Sequence, residues 1–354
     1  MSERMTALSQ WVEQIAAGTE QGLQDWVFDG EVELKPINGD AGFRRYFRLN
    51  TSPALLAVDA PPETEDSEAF VSIANFLRVN GVHTPNIVAA DLERGFLIIE
   101  DLGREMYLPA LLNDGPELLY GEAMMILLRM QQASPSPDCV VPYYDNAKLL
   151  SEMELFPEWF VGEMLGVELN TDDRLMIDEA FTLLSATALE QPQVFVHRDF
   201  HSRNLVVTDG SAPGVIDFQD AVWGPITYDL VSMFKDCYIR WPRDQLEHWA
   251  GAYGDMAVDA GLMPAISKEQ FIRWFDLMGL QRHLKVLGIF ARLSLRDHKA
   301  GYLQDIPLVT RYVIEVCERY DEFQALADWF KRRLLPGLAK FDWYSEYSTA
   351  GDRV

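Results

Sequence analysis

Short β-type runs separated by turn residues fill the first hundred positions, and helix-period patterns fill most of the rest. Val32–Ile37 reads as a strand, Asn38-Gly39-Asp40-Ala41-Gly42 as a turn, and Phe43–Leu49 as a second strand mixing basic and aromatic side chains. Asn50–Pro53 turns the chain into a short apolar third strand, Ala54–Val58. The acidic stretch Glu63–Glu68 then leads into Phe70, Ile73, Ala74 and Leu77, the i, i+3, i+4, i+7 spacing of an amphipathic helix, with Gly81 where a C-terminal cap belongs. Ile87–Leu92 and Phe96–Ile99 flank Glu93-Arg94-Gly95 as a hairpin. The predicted order is three strands, a helix and two strands, ending at Glu100-Asp101-Leu102-Gly103.

Beyond that point Glu117–Ala133, Leu149–Gly166 and Asp172–Glu190 are long helical patterns. A β-rich insert at Val194–Asp217 interrupts them, and helices resume from Tyr228. Ser134-Pro135-Ser136-Pro137 is a short Pro-rich linker, and no repeat of 20–50 residues is present. The expected class is α+β, a bilobal protein-kinase-like fold with a small β-rich N-terminal lobe carrying one helix and a larger, mostly helical C-terminal lobe. The expected segments are a helical extension at 1–30, a nucleotide-binding N-lobe at 31–102, and a catalytic and acceptor-binding C-lobe at 103–354.

Composition narrows the picture. With 354 residues, 48% of them hydrophobic and 24% charged, the chain can build a sizeable core and is neither disordered nor a disulfide scaffold. No apolar run approaches the length of about 20 residues needed to span a bilayer, and Met1–Trp26 reads as a mixed polar helix, not a signal peptide. Three scattered cysteines, Cys139, Cys237 and Cys317, form no CxxC pair, so a reducing cytoplasm is the expected location. Thirty basic against 55 acidic residues give a net charge of −25, which argues against nucleic acid and anionic membrane as partners. A nucleotide substrate therefore needs local compensation, from metal ions or from basic clusters such as Arg44–Arg48 and Arg282–Lys299.

The chemistry concentrates in Val196-His197-Arg198-Asp199-Phe200-His201-Ser202-Arg203-Asn204 and Ile216-Asp217-Phe218. An apolar strand delivers Asp199, Asn204 follows five residues later, and Asp217 leaves a third short strand, all expected in one small sheet. Phosphoryl transfer uses such a set: one carboxylate orients the attacking hydroxyl, while an amide oxygen and a second carboxylate hold Mg²⁺ against the phosphates of ATP. A His-x-Asp alone is common; the joint spacing is specific for a kinase catalytic loop and metal motif.

On these motifs the chain resembles the aminoglycoside phosphotransferase/choline kinase superfamily. Gly39–Arg48, Asp59-Ala60-Pro61-Pro62-Glu63, Trp223–Leu230 and Gln281–Leu293 add a resemblance to the bacterial anomeric N-acetylmuramate/N-acetylglucosamine kinases of cell-wall recycling. The resemblance covers nearly the whole chain. It implies Asp199 as catalytic base, Asn204 and Asp217 as Mg²⁺ ligands, and the Gly39, Asp40, Ala41, Gly42 turn over the nucleotide phosphates. It further implies that adenine pairs with backbone between Glu100 and Leu102. The phosphorylated group would be the anomeric hydroxyl of an amino sugar.

Two departures from the protein-kinase pattern stand out: there is no Gly-x-Gly-x-x-Gly loop, and the third strand carries Asp59 where a phosphate-pairing lysine is expected. Arg44, Arg45 or Arg48 could supply the missing cation or could be edge-strand solubility residues; alternation puts Arg44 and Arg48 on one face and Arg45 on the other. Around the catalytic loop, His201, Arg203, Gln219, Asp220 and Trp223 are candidates to line the acceptor pocket, with core packing the competing role for Trp223. Asp229 reads as a helix cap or a brace for the loop. A sugar carboxylate asks for a cation, which Arg292, Arg296 and Lys299, or Arg282, His283 and Lys285, could provide. Competing readings are a kinase of an aminoglycoside or choline-type alcohol, an inactive nucleotide-binding module, and a glycosidase built on Asp199 and Asp217, which leaves Asn204 without a role.

Overall fold

A computed structural model of the chain describes residues 3–17, 26–37, 42–113, 115–210 and 212–352. The turn residues Gly39, Asp40 and Ala41 lie outside the described residues. The chain divides into two compact units, one of Met1–Arg129, Pro135–Val140 and Arg203–Gln219, the other of Met130–Ser134, Val141–Ser202 and Asp220–Val354.

In the first unit, strands β1 (Leu34–Ile37), β2 (Arg45–Leu49), β3 (Leu55–Asp59), β4 (Ile87–Asp91) and β5 (Phe96–Glu100) form an antiparallel sheet in the order β1-β2-β3-β5-β4. Period-two alternation decides its faces. Phe47, Leu49, Leu55, Ala57, Phe96 and Ile98 pack with Leu8, Trp11 and Val12 of helix α1 (Glu3–Ala17). Asp59 shares that face: it is fully buried and accepts from Arg4 of α1 at 2.9 Å and from Arg45, its cross-strand partner. The carboxylate found in place of a lysine is thus a structural anchor for α1.

Helix α2 (Ser67–Val79) buries Phe70, Ile73, Ala74 and Leu77 as its spacing predicts. Asp66 caps its start by accepting from the Ala69 N–H at 2.9 Å. At its end Gly81 takes φ +75°, letting Gly81 N–H bond Arg78 O at 2.9 Å and Val82 N–H bond Leu77 O at 2.9 Å, a Schellman closure.

The second unit is built around a 28-residue helix, Lys268–Leu295, that is buried along most of its length. Leu280, Leu284 and Leu287 meet Phe156, Phe160, Phe181, Val313 and Phe330 in its core. The pattern at 149–166 predicts one helix; instead helix α3 (Asn146–Met153) is followed by a π-helical segment, Phe156–Met164. Pro157 at the start of that segment has no N–H to donate, so the regular ladder cannot run through.

The β-rich insert also departs from a single small sheet. Strand β6 (Gln193–Val196) pairs with β9 (Val222–Pro225) in the second unit, whereas β7 (Leu205–Val206) pairs with β8 (Gly214–Val215) in the first. Among the described residues no helix is long and apolar enough to cross a membrane.

Candidate active site

Strand β6 runs into His197-Arg198-Asp199, and the backbone turns sharply there because Arg198 adopts φ +77°. A non-glycine residue holds that conformation only where its surroundings enforce it. Two carboxylates brace the loop, one of them at Arg198 itself. Asp229, on helix α4 (Tyr228–Phe234), accepts the N–H of His197 at 2.6 Å and of Arg198 at 2.9 Å. Asp236, just past the end of α4, accepts Ser202 N–H at 3.1 Å and the Ser202 hydroxyl. Asp229 therefore has the loop-bracing role. Burial pushes its carboxyl up to about 7, against the pull of those two N–H groups and with the charge of Asp199 adding to the rise.

Asp199 itself is 46% exposed, with Arg282 Nη2 at 3.8 Å from Oδ1. Desolvation works against its ionisation, but the charges of His201, Lys285, Arg282 and Arg198 outweigh it and hold the carboxyl below the usual range. Glu152 of α3 accepts from the Arg198 guanidinium and the Tyr144 hydroxyl, and lies 2.9 Å from Lys285 Nζ. His201 donates its N–H to Asp199 O at 2.9 Å, and its ring meets Tyr238 edge-on at 5.6 Å.

The other two candidate donors belong to the first unit. Ile216 N–H bonds Asn204 O at 3.1 Å, and Asn204 Nδ2 lies 3.3 Å from Asp217 Oδ2. Asp217 takes φ +65°, and its other oxygen accepts from Gln219 Nε2 at 2.8 Å. An amide oxygen and a carboxylate are the hard donors that Mg²⁺ takes, the remaining positions going to phosphate and water. Among the described residues no three His, Cys, Asp or Glu side chains gather as an all-protein metal cage would. This pair fits a magnesium that is shared with a nucleotide.

Arg44, immediately before β2, and Arg45 and Arg48 within it have different partners. Arg45 is committed to Asp59, and Arg48 to Asp101. Arg44, nearly buried, lies 3.1 Å from Glu65, donates to Asp66 O at 3.3 Å, and sits over the Phe70 ring at 4.8 Å. Phe70 in turn stacks on Phe218 at 5.0 Å, the residue after Asp217. Tyr46, between these elements, has its hydroxyl pushed up to about 12 by burial; Arg44 opposes the rise while Asp217 and Glu65 reinforce it. Next to Gly42, Phe43 N–H bonds Glu65 at 3.0 Å.

Other predicted positions fall less neatly. Trp223 is 5% exposed and meets Phe195 edge-on at 5.8 Å, so packing is its role. Asp220 offers its carbonyl to Arg198 Nη1 at 3.4 Å, and Arg203 is half-buried. The N–H of Glu100 is taken by Asn86 O at 2.9 Å, and Leu102 packs against Gly214. Of the helical cations, Arg282 and Lys285 face Asp199 and Glu152, whereas Arg296 pairs with Asp297 at 2.7 Å. Sequence reasoning missed Glu65, Glu152 and Asp236: nothing in local spacing marks a carboxylate whose partner lies tens of residues away.

A model of a phosphotransferase enzyme family matches residues 33–265, and the chain belongs to that family. Among named relatives it is similar to an N-acetylmuramate/N-acetylglucosamine kinase of Pseudomonas aeruginosa, 44% identical over 84% of this chain and 89% of the relative. Proteins of the same name from Pseudomonas putida (42% identical; 90% and 95% covered) and Neisseria meningitidis (41%; 86% and 92%) are similar too. Solved structures share the fold at low identity. An ethanolamine kinase of Plasmodium vivax has a TM-score of 0.57 at 14% identity, covering 83% of this chain and 84% of that one. A choline kinase from Cryptosporidium parvum has a TM-score of 0.57 at 13% identity, covering 92% of this chain and all of that one.

Proposed function

We propose that this chain transfers the terminal phosphate of ATP to the anomeric hydroxyl of an amino sugar, N-acetylmuramate or N-acetylglucosamine, in the reducing cytoplasm. The observation that carries the acceptor is the 41–44% identity, over 84–90% of the chain, to kinases of that name.

Asp199 accepts the proton of the attacking hydroxyl. It suits the task because it is ionised, half open to solvent, and fixed by a loop that Asp229 and Asp236 brace. Asn204 and Asp217 hold Mg²⁺, which when bound neutralises phosphate charge. Arg44 supplies the cation missing from the third strand: it shares a face with Tyr46, and the Phe70–Phe218 stack links it to the Asp217 segment. Its pairing with Glu65, just before α2, has the form of the lysine–glutamate ion pair that orients nucleotide phosphates in kinases. The turn ending at Gly42 covers those phosphates. Adenine is read at Leu102, since the sheet already uses the N–H groups of Glu100 and Asp101. His201 and Asp220 of the second unit, and Arg203 and Gln219 of the first, are the polar candidates for contacts with the sugar.

The test is a panel of acceptors (N-acetylmuramate, N-acetylglucosamine, choline, kanamycin) with ATP and Mg²⁺, the phosphorylated position being assigned by NMR. Anomeric phosphates of the two amino sugars are expected. Turnover of choline or kanamycin alone would overturn the proposal.

A further inference from the structure

We propose that two cations one turn apart on the helix Lys268–Leu295 are positioning residues for the catalytic aspartate: Arg282 acts on Asp199 directly, and Lys285 acts through Glu152 on Arg198. This rests on the reading of Asp199 as the base.

Residues three apart on a helix lie on one face. Arg282 is 4% exposed and reaches to 3.8 Å from Asp199 Oδ1, with its other terminal nitrogen 3.7 Å from Cys237 Sγ. Its buried Nε makes no hydrogen bond, so Arg282 keeps a guanidinium largely out of water for the sake of the Asp199 and Cys237 contacts. Lys285 lies 2.9 Å from Glu152 and donates to the Tyr228 hydroxyl at 3.1 Å.

Glu152 is the hub of the second arm. It takes Lys285, Arg198 and the Tyr144 hydroxyl together, so both of its oxygens are engaged. Arg198 is the residue whose left-handed backbone aims Asp199. Asp229 fixes that backbone through its N–H groups, and Glu152 fixes the same residue through its guanidinium. Without Glu152, Arg198 and Lys285 would lose the carboxylate that pairs with both, and the two cations would repel each other. A misplacement of about 1 Å at a reacting group can lower a rate by about a hundredfold.

The experiment measures kcat and the KM for ATP of Arg282→Met, Arg282→Lys, Glu152→Gln and Lys285→Met, with Asp199→Asn alongside and melting curves for each. The expected result is a kcat about ten- to a hundredfold lower for the methionine and glutamine variants, KM for ATP within about twofold, and at least partial recovery of kcat in Arg282→Lys. A double variant Glu152→Gln/Lys285→Met should lose no more than about the larger single loss, because the two act as one arm. Wild-type kcat in Arg282→Met and Glu152→Gln, while Asp199→Asn is inactive, would overturn this inference and leave the function standing. An active Asp199→Asn would overturn the reading beneath it. Should Arg282→Met fail to fold, Arg282→Lys decides: a kcat as low as that of Asp199→Asn with an unchanged melting temperature would contradict the charge-based role.

Discussion

Replacing Arg44 by methionine separates its proposed contact with phosphate from its part in holding the fold. Its guanidinium and the Glu65 carboxylate are 6% and 13% exposed, so the substitution strands a nearly buried carboxylate. Breaking such a pair on one side costs about 3–5 kcal/mol. Glu65 keeps the Phe43 N–H, which reduces that cost, while loss of the cation over Phe70 adds about 1 kcal/mol. A net destabilisation of about 3–4 kcal/mol follows, read by urea denaturation of the nucleotide-free protein. Removing the stranded charge as well, in Arg44→Met/Glu65→Gln, should return about half of it. The nucleotide contact behaves differently. If Arg44 meets phosphate, KM for ATP rises about tenfold or more in both variants, because neither restores a cation. A double variant with recovered stability and wild-type KM for ATP would show that Arg44 serves the fold alone, and the assignment of the phosphate cation to Arg44 would be refuted.

Two further outcomes follow. Asp229 has its carboxyl raised by burial to about 7, so its contribution to stability is fully present below the unfolded value near 4 and is lost as pH rises through 7. Three pKa units at roughly 1.4 kcal/mol each cap the effect at about 4 kcal/mol. Denaturation of wild type and Asp229→Asn at pH 5 and pH 8 should show wild type losing stability relative to the variant as pH rises; parallel profiles would contradict it. Gly288 sits in the interior of the long helix where a Cβ would lie 2.3 Å from the backbone carbon of Leu155. Backbone atoms cannot yield as a side-chain tip does, so Gly288→Ala should cost about 3 kcal/mol or more, and an unchanged melting temperature would speak against that packing.

Much of the frame was legible in the chain because it rests on local rules. Alternation put Arg44 and Arg48 opposite Arg45, and helical spacing marked the buried face of α2, with Gly81 at its C-terminal closure. The expectation of a phosphoryl-transfer motif rests on local spacing too: Asp199 and Asp217 each come just after a short strand, and Asn204 stands at the start of one. What was not legible depends on distant pairing. Glu65 read only as part of an acidic helix start, yet it gathers Arg44 and the Phe43 N–H. Glu152, 46 positions before Arg198, is marked by no spacing rule. Trp223 suited a sugar face or a core equally well until Phe195 was seen against it. The insert at 194–217 looked like one sheet because its strands are consecutive, but β6 finds its partner beyond Asp217.

The central claim is that Asp199 serves as the base for a sugar hydroxyl, and its most direct measurement is the turnover of Asp199→Asn at saturating ATP, Mg²⁺ and N-acetylmuramate, with ATP affinity followed by calorimetry. Asparagine keeps the shape and removes the charge that receives the proton. The predicted result is a kcat lower by about a hundredfold or more with ATP affinity little changed; near-normal turnover would contradict the account.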